Sequence, residues 1–150
     1  MPKLNFFSNP NALWVRPIVA PASWLIIRVT LGALLIHHGS NKVFAGVSGL
    51  ANHLSELGWP LATLQAYAAA YTEFIGGIFL VVGLFTRVSA LVNVGLFTII
   101  VFVYHGADTF SDKESGLLFL VMSIATFLSG PGIASVDRYL FTKSEAPEKV

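Results

Sequence analysis

The sequence contains no cysteine and carries little charge. Without thiols, the chain itself can do no thiol–disulfide chemistry, hold no thiolate-ligated iron–sulfur cluster and attach no c-type haem. Charged residues make up 11% of the chain and hydrophobic residues 55%, whereas an ordinary soluble domain is about 25% charged. The net charge of +1 comes from scattered residues that form no basic face, which argues against a nucleic-acid partner. A membrane protein of one domain is the class that remains.

Four apolar segments are long enough to cross about 30 Å of hydrocarbon at 1.5 Å per residue. They predict helices at about 21–44, 64–85, 88–104 and 115–134. The fourth is the weakest, because Gly130-Pro131-Gly132 is expected to end its helix early. We therefore expect an all-α, polytopic membrane protein with a bundle of four transmembrane helices. Its single membrane domain would cover 1–140, and a polar disordered tail would follow at 141–150.

The loop between the first two predicted helices has a pattern of its own. Apolar residues recur there at helical spacing, with polar residues opposite: Val47, Leu50, Ala51, Leu54 and Leu57 against Asn52, Ser55 and Glu56. This pattern predicts a short amphipathic helix that lies on the outer membrane interface. A solvated loop is the alternative.

The distribution of Lys and Arg predicts the orientation of the bundle. Four spans place both termini, and the turn at 86–87, on one side of the membrane. That side would hold six basic residues against two on the other: Lys3, Arg16, Arg87, Arg138, Lys143 and Lys149 against Lys42 and Lys113. The positive-inside rule then predicts cytoplasmic termini. The first seventeen residues are too polar and Pro-rich for a cleavable signal peptide, so the first helix is expected to be retained.

Glu73 is the only formal charge between Leu57 and Thr86. A carboxylate at mid-membrane costs about 3 kcal/mol, so it needs a partner, a proton or a chemical role. Small residues lie around it on the helical wheel: Ala66, Ala69, Ala70, Gly76 and Gly77. Since small residues let a neighbouring backbone approach, the Glu73 face is expected to be the packed face of its helix.

The first helix offers the partners. One of its stripes combines charges with glycines: Arg28, Gly32, Gly39 and Lys42. Measured from the outer ends of the helices, Glu73 lies at a depth of about 15 Å, Arg28 at about 24 Å and His38 at about 9 Å. A buried Arg28–Glu73 ion pair is one hypothesis, because intramembrane charges usually pair. The other hypothesis is that Glu73 exchanges a proton or holds a ligand group near His38.

His105 ends the third predicted helix and leads into an acidic stretch with Asp108, Asp112 and Glu114. It is a candidate ligand-binding residue, although a lone interfacial histidine is commonly solvated. A transition-metal site formed by His38, His105 and these acids is conceivable. No metal is predicted, because no His-x₃-His or comparable ligand spacing is present.

Four stretches then point to a known family: HHGSNKVF at 37–44, TEFIGGIFLVVGLFTR at 72–87, His105, and GPGIASVDR at 130–138. In this order and at this spacing they resemble the DoxX family, over about residues 23–140. The resemblance implies a four-helix protein of the bacterial inner membrane. Some members are linked to quinone-coupled sulfur oxidation, as a thiosulfate:quinone oxidoreductase subunit, or to oxidative-stress complexes. The family often has Tyr or Phe in place of His37, so His38-Gly39 is the matching pair.

Three functions from different classes remain open. The first is a membrane subunit or partner of a quinone-linked redox system, with a separate protein or a second copy as its partner. Its candidate ligand-binding residues are Arg28, His38, Lys42, Glu73 and His105, with His38 and Glu73 as a proton relay and a quinone as the non-covalent cofactor. Structural roles are expected for Gly32, Gly39, Gly76, Gly77, Arg87 and Asp137. The second is a non-catalytic accessory or assembly protein, and the third is a small-molecule transporter, for which no inverted repeat is visible.

Overall fold

A computed structural model describes residues 19–142. All regular structure in that range is helical, which confirms the all-α class. The elements are α1 (Val19–Ala45), α2 (Ser48–Glu56), α3 (Ala62–Val82), α4 (Thr86–Ile99) with a π-helical continuation (Ile100–Tyr104), α5 (Phe110–Ser129) and α6 (Val136–Thr142). The four long helices form a bundle in which α1 packs on α3, α3 on α4, α4 on α5, and α5 on α1.

The ends of the helices differ from the predicted ones where loop residues set them. α3 ends at Val82, before the predicted 85, because Gly83 adopts a left-handed φ of 72°. α5 begins at Phe110, before the predicted 115, because Thr109 and Asp112 form a capping box. The hydrogen bond from the Thr109 hydroxyl also lowers the pKa of Asp112. α5 then stops at Ser129.

The two predicted terminal segments fall largely beyond the part of the chain that the structure describes. The first two residues of the predicted tail at 141–150 belong to α6. The rest of that tail lies outside the described residues, as does the segment at 1–17.

In the described part of the chain, three helices are long and apolar enough to cross a membrane: Pro21–Ala45, Ala62–Val82 and Thr86–Tyr104. α5 has 20 residues, but Asp112, Lys113 and Glu114 lie in its first turns and shorten its apolar stretch. Large apolar side chains cover the outer faces of the bundle, and Ile26, for example, is 65% exposed. Such faces suit lipid rather than water as the surrounding medium.

α1 and α3 approach each other most closely, through glycines. A Cβ atom on Gly39 would lie 2.4 Å from the backbone nitrogen of Phe74, and one on Gly32 would lie 2.7 Å from the carbonyl oxygen of Gly77. No side chain fits at either point, because the obstacle is backbone. These contacts set one antiparallel register between the two helices, as small residues commonly do in membrane bundles.

α2 packs against the first turns of α3. Its buried Ala51 and Leu54, with Val47 just before the helix, form one buried cluster with Ala66 and Ala70 of α3. In the α1–α3 register, the first turns of α3 extend beyond the end of α1, and α2 fills the resulting step. A short helix therefore forms where the amphipathic pattern predicts one. Its location at a membrane interface stays a prediction.

The opposite end of the bundle is held together by Arg28 and Asp137. The Arg28 guanidinium donates hydrogen bonds to the carbonyl oxygens of Pro131 and Ala134. The Asp137 carboxylate accepts hydrogen bonds from the backbone N–H groups of Phe85, at 2.7 Å, and Thr86, at 2.8 Å. Asp137 thereby caps α4 and ties the first turn of α6 to the turn between α3 and α4.

Replacing Gly39 by alanine is expected to loosen the α1–α3 contact. The new methyl group would overlap the backbone of Phe74, so we expect the free energy of unfolding to fall by about 1–3 kcal/mol. Gly95→Ala is the matched control, because nothing lies within 4 Å of a Cβ atom there; it should gain up to about 1 kcal/mol of helix propensity. Thermal unfolding in detergent measures both, and a Gly39→Ala variant as stable as the wild type would contradict the packing described.

Candidate functional site

Glu73 of α3 is buried, and its partner is Lys42 of α1. The Glu73 side chain is 2% exposed, whereas that of Lys42 is 32% exposed. The Lys42 ammonium donates hydrogen bonds to both carboxylate oxygens, with Nζ 2.5 Å from Oε1 and 2.7 Å from Oε2. Charge-assisted bonds of this kind offset the cost of burying a carboxylate. The carboxylate is enclosed, while the lysine remains reachable from one side.

The predicted Arg28–Glu73 ion pair is wrong. The glycine contacts place Glu73 opposite Ser40, two residues from Lys42. Arg28 lies twelve residues before Ser40, which is about 18 Å along the helix. The predicted depths of Glu73 and Arg28 assume that the outer ends of α3 and α1 lie at the same level. α3 instead begins beyond the end of α1, beside α2, so Glu73 lies nearer the end of α1 than its own depth suggests.

A cavity of about 130 Å³ adjoins the ion pair. It is lined by His38, Lys42, Glu73, Phe97, Ile100, His105, Asp112, Ser115, Gly116 and Phe119. Four of the five candidate ligand-binding residues thus line one space, and Arg28 does not. The His38 ring, although exposed, packs edge-on against Phe119 with their centroids 5.3 Å apart. We call this space the polar cleft; its volume suits a few water molecules or one small polar group.

A second cavity, of about 550 Å³, meets the polar cleft at Lys42, Ile100 and His105. Small and apolar residues of α3 and α4 form its walls: Ala68, Ala69, Thr72, Val92, Gly95, Leu96 and Ile99. Leu50 and Leu54 of α2, together with Trp59 and Tyr104, cover its end. We call it the chamber. It has the size and the apolar lining of a small-molecule pocket, and exposed residues of the outer face, such as Val92, border it.

The π-helical segment positions the residues at which the cleft and the chamber meet. The backbone N–H of His105 donates to the carbonyl oxygen of Ile100, five residues earlier, at 2.9 Å. The resulting wide turn brings Ile100 and His105 to both spaces, and such turns are frequent at functional sites. The His105 ring also pairs with Asp108, with Nδ1 2.8 Å from Oδ2. The apolar sequence IVFVY gives no signal for this turn.

The other residues selected from the sequence lie at contacts between elements. A Cβ atom on Gly76 would lie 2.9 Å from Nδ2 of Asn93, and one on Gly77 would lie 2.8 Å from the carbonyl oxygen of Gly32. Arg87 is exposed, and its Nε lies 3.1 Å from the Cβ position of Gly130. Within residues 19–142, no three His, Asp or Glu side chains are close enough to share a metal ion.

Some residues of the site had no role in the sequence analysis. Trp59 and Tyr104 close the chamber with their ring centroids 6.0 Å apart, and Tyr104 also contacts His53. Asp112, which the sequence places in an acidic stretch and in a conceivable metal site, lines the polar cleft. Their aromatic and acidic character was visible, but only the fold of α2 over α3 brings them to the site.

The arrangement defines a small helical membrane protein in which a buried carboxylate, paired with a lysine, lies between a polar cleft and an apolar chamber. The DoxX family model matches residues 23–106, a region that contains α1 to α4 and the ion pair. The chain belongs to the DoxX family, which confirms the resemblance seen in the sequence.

Two relatives of known name are similar over most of their length. The chain is 32% identical over 118 residues, 78% of this chain and 86% of the relative, to "Putative oxidoreductase CatD" of Bacillus subtilis (strain 168). It is 29% identical over 125 residues, 79% of this chain and 92% of the relative, to "Inner membrane protein YqjF" of Escherichia coli (strain K12). No solved structure matches the chain at a significant level.

Removing Lys42 is expected to cost more stability than removing the charge of Glu73. Lys42→Met leaves a buried, unpaired carboxylate, and we expect the free energy of unfolding to fall by about 3 kcal/mol. Glu73→Gln leaves an ammonium group that can reach the open side of the site, so its cost should be smaller. Thermal unfolding in detergent, compared at one pH, measures the difference.

Two further variants serve as controls for this pair. Lys42→Met combined with Glu73→Met removes both charges and should recover most of the loss. A double-mutant cycle between Arg28 and Glu73 should give a coupling energy within about 0.5 kcal/mol of zero, as for distant residues. A strong Arg28–Glu73 coupling would restore the pairing that the structure rejects.

Proposed function

We propose that this protein binds a quinone in the chamber, as a membrane component of a quinone-linked redox system in the bacterial inner membrane. The observation that carries the proposal is that the apolar chamber ends at Lys42 and His105, beside the buried Glu73. A quinone combines an apolar tail with a ring that bears two carbonyl oxygens. It therefore needs apolar walls and, at one end, hydrogen-bond donors.

The donor set fits this head group. The Lys42 ammonium has three N–H donors and gives two hydrogen bonds to Glu73. One N–H therefore remains for a ligand carbonyl, and 32% of the Lys42 side chain is exposed. His105 offers a second ring nitrogen beside the one that contacts Asp108. The chamber supplies apolar walls from α3 and α4 for a tail that enters from the bilayer.

A bound quinone would supply two-electron, two-proton chemistry, and the residues of the cleft would handle the protons. Glu73 is the proton-accepting group, because its carboxylate is hydrogen-bonded to Lys42 at the chamber end. His38 and Asp112 line the same cleft and form the exit from Glu73 towards the outer loops. The name of the Bacillus subtilis relative, an oxidoreductase, agrees with such a role. The electron partner is proposed to be a separate protein.

Filling the chamber should abolish quinone binding without unfolding the protein. A short-chain quinone analogue at about 100 times its Kd is expected to stabilise the wild type by about 2.7 kcal/mol. Gly95→Phe places a ring in the chamber at a point where nothing lies within 4 Å of a Cβ atom, so the protection should disappear. Gly49→Phe, at an equally open glycine outside the chamber, should keep it. Thermal unfolding in detergent, with and without the analogue, measures the effect.

The polar end of the site is tested in the same assay. Glu73→Gln and His38→Ala are each expected to reduce the protection while leaving the protein folded. Equal protection in the wild type, Gly95→Phe, Glu73→Gln and His38→Ala would count against the chamber and favour an accessory or assembly role.

We further propose that α5 is a fourth span, from about 115 to 129, and that both termini are cytoplasmic. The chain has no cysteine, so single cysteines can be introduced for labelling without background. Ser48→Cys and Ser111→Cys should react with a membrane-impermeant reagent from the periplasmic side, and Arg138→Cys only from the cytoplasmic side. Labelling of positions 111 and 138 from the same side would show that α5 does not cross.

A further inference from the structure

A second group of polar side chains is buried, away from the polar cleft, where α4 and α5 face each other. Thr86, Ser89 and Asn93 of α4 and Ser123 and Thr126 of α5 are all at most 6% exposed. Thr126 donates to a carbonyl of its own helix, and the Asn93 amide nitrogen donates to Ser89, both at 2.8 Å. The side-chain oxygens of Thr86, Asn93 and Ser123 have no hydrogen-bond partner within residues 19–142. Buried oxygens of this kind are normally bonded, to ordered water where no protein group is available.

Asn93 and Ser123 lie at one level of the bundle. Phe97 of α4 stacks on Phe119 of α5, with centroids 4.9 Å apart. Farther along, a Cβ atom on Gly116 would lie 2.9 Å from Val101. In an antiparallel pair, these two contacts place Ser123 opposite Asn93, about one turn from the stacked rings. A water molecule bonded to Asn93 Oδ1 or to Ser123 Oγ would supply the partner that the oxygen lacks.

The stacked rings lie beside both this polar layer and the cleft that contains the ion pair. Phe97 and Phe119 both line the polar cleft that contains Glu73. A Cβ atom on Gly76 of α3 would lie 2.9 Å from the amide nitrogen of Asn93. Glu73 lies only one helical turn from Gly76. The buried carboxylate and the layer around Asn93 are therefore neighbours, and Phe97 and Phe119 line the cleft one turn from Asn93 and Ser123.

We propose that Asn93 and Ser123 bind ordered water, and that the Phe97–Phe119 stack is an apolar barrier that keeps this water from exchanging protons with Glu73. Apolar constrictions block water and protons in channels because they dry out. On one side of the barrier the cleft reaches Asp112 in the first turns of α5. On the other side the polar layer continues through Ser89 to Thr86, at the opposite end of α4. The stack thus closes a polar path through the bundle, independently of any quinone.

Removal of one ring should open this path to protons. In quinone-free liposomes loaded with a pH-sensitive dye, Phe97→Ala is expected to raise the proton leak about tenfold or more over the wild type, which corresponds to a barrier lower by about 1.4 kcal/mol. The matched control is Phe102→Ala on the outer face of the same element, where the side chain is 64% exposed. It should leave the leak at the wild-type level.

Second substitutions identify the route of the leak. In the Phe97→Ala background, Asn93→Leu and Glu73→Gln should each return the leak close to the wild-type level, because each removes a polar step on one side of the barrier. Thermal unfolding and size-exclusion profiles are recorded for every variant. If Phe97→Ala does not fold, Phe97→Leu and Phe119→Leu replace it, since both keep an apolar side chain but lose the stack.

Two results would overturn the proposal. One is a folded ring-deleted variant whose liposomes are as proton-tight as those of the wild type. The other is a leak that Asn93→Leu leaves unchanged, which would place the route outside the α4–α5 layer.

Discussion

The bundle depends on one electrostatic requirement: the carboxylate of Glu73 must have a cation beside it. Between 57 and 86 the chain offers Glu73 no other charge, and a lone carboxylate is expensive away from water. Lys42 meets the requirement only because α1 and α3 approach at backbone distance. Gly32 and Gly39 make that approach possible, and their contacts determine which residue of α1 lies beside Glu73. The glycine packing of α1 on α3 and the pairing of Lys42 with Glu73 therefore depend on each other.

The ion pair also divides the interior into two unlike spaces. On one side, the polar cleft gathers His38, His105 and Asp112 around the carboxylate. On the other side, the chamber between α3 and α4 is lined by small and apolar residues and is covered by α2. Lys42 belongs to both. A ligand with an apolar body and a polar end can satisfy both spaces at once, and the proposal of a membrane-dissolved cofactor rests on this geometry.

The sequence predicted the helical class and placed small residues around Glu73, because both depend on local composition and periodicity. It could not give the partner of Glu73. That choice depends on the glycine contacts, which set how far α3 extends beyond α1; α2 packs on Ala66 and Ala70 in the resulting step. The π-helical turn that brings His105 to the cleft was equally hidden, since its residues are ordinary apolar ones. The partner of Glu73 and the position of His105 are therefore determined by long-range packing, which local sequence patterns do not reveal.

The central claim, that Lys42 neutralises an ionised Glu73 inside the bundle, can be tested in lipid bilayers by solid-state NMR. Among the described residues, the Lys42–Glu73 pair is the one lysine–carboxylate ion pair. With lysine Nζ labelled by ¹⁵N and glutamate Cδ by ¹³C, one carboxylate signal should be strongly dephased by a lysine nitrogen and should carry the shift of an ionised group. That signal should vanish in Glu73→Gln. A Glu73 signal with the shift of a protonated acid, or without dephasing, would contradict the account.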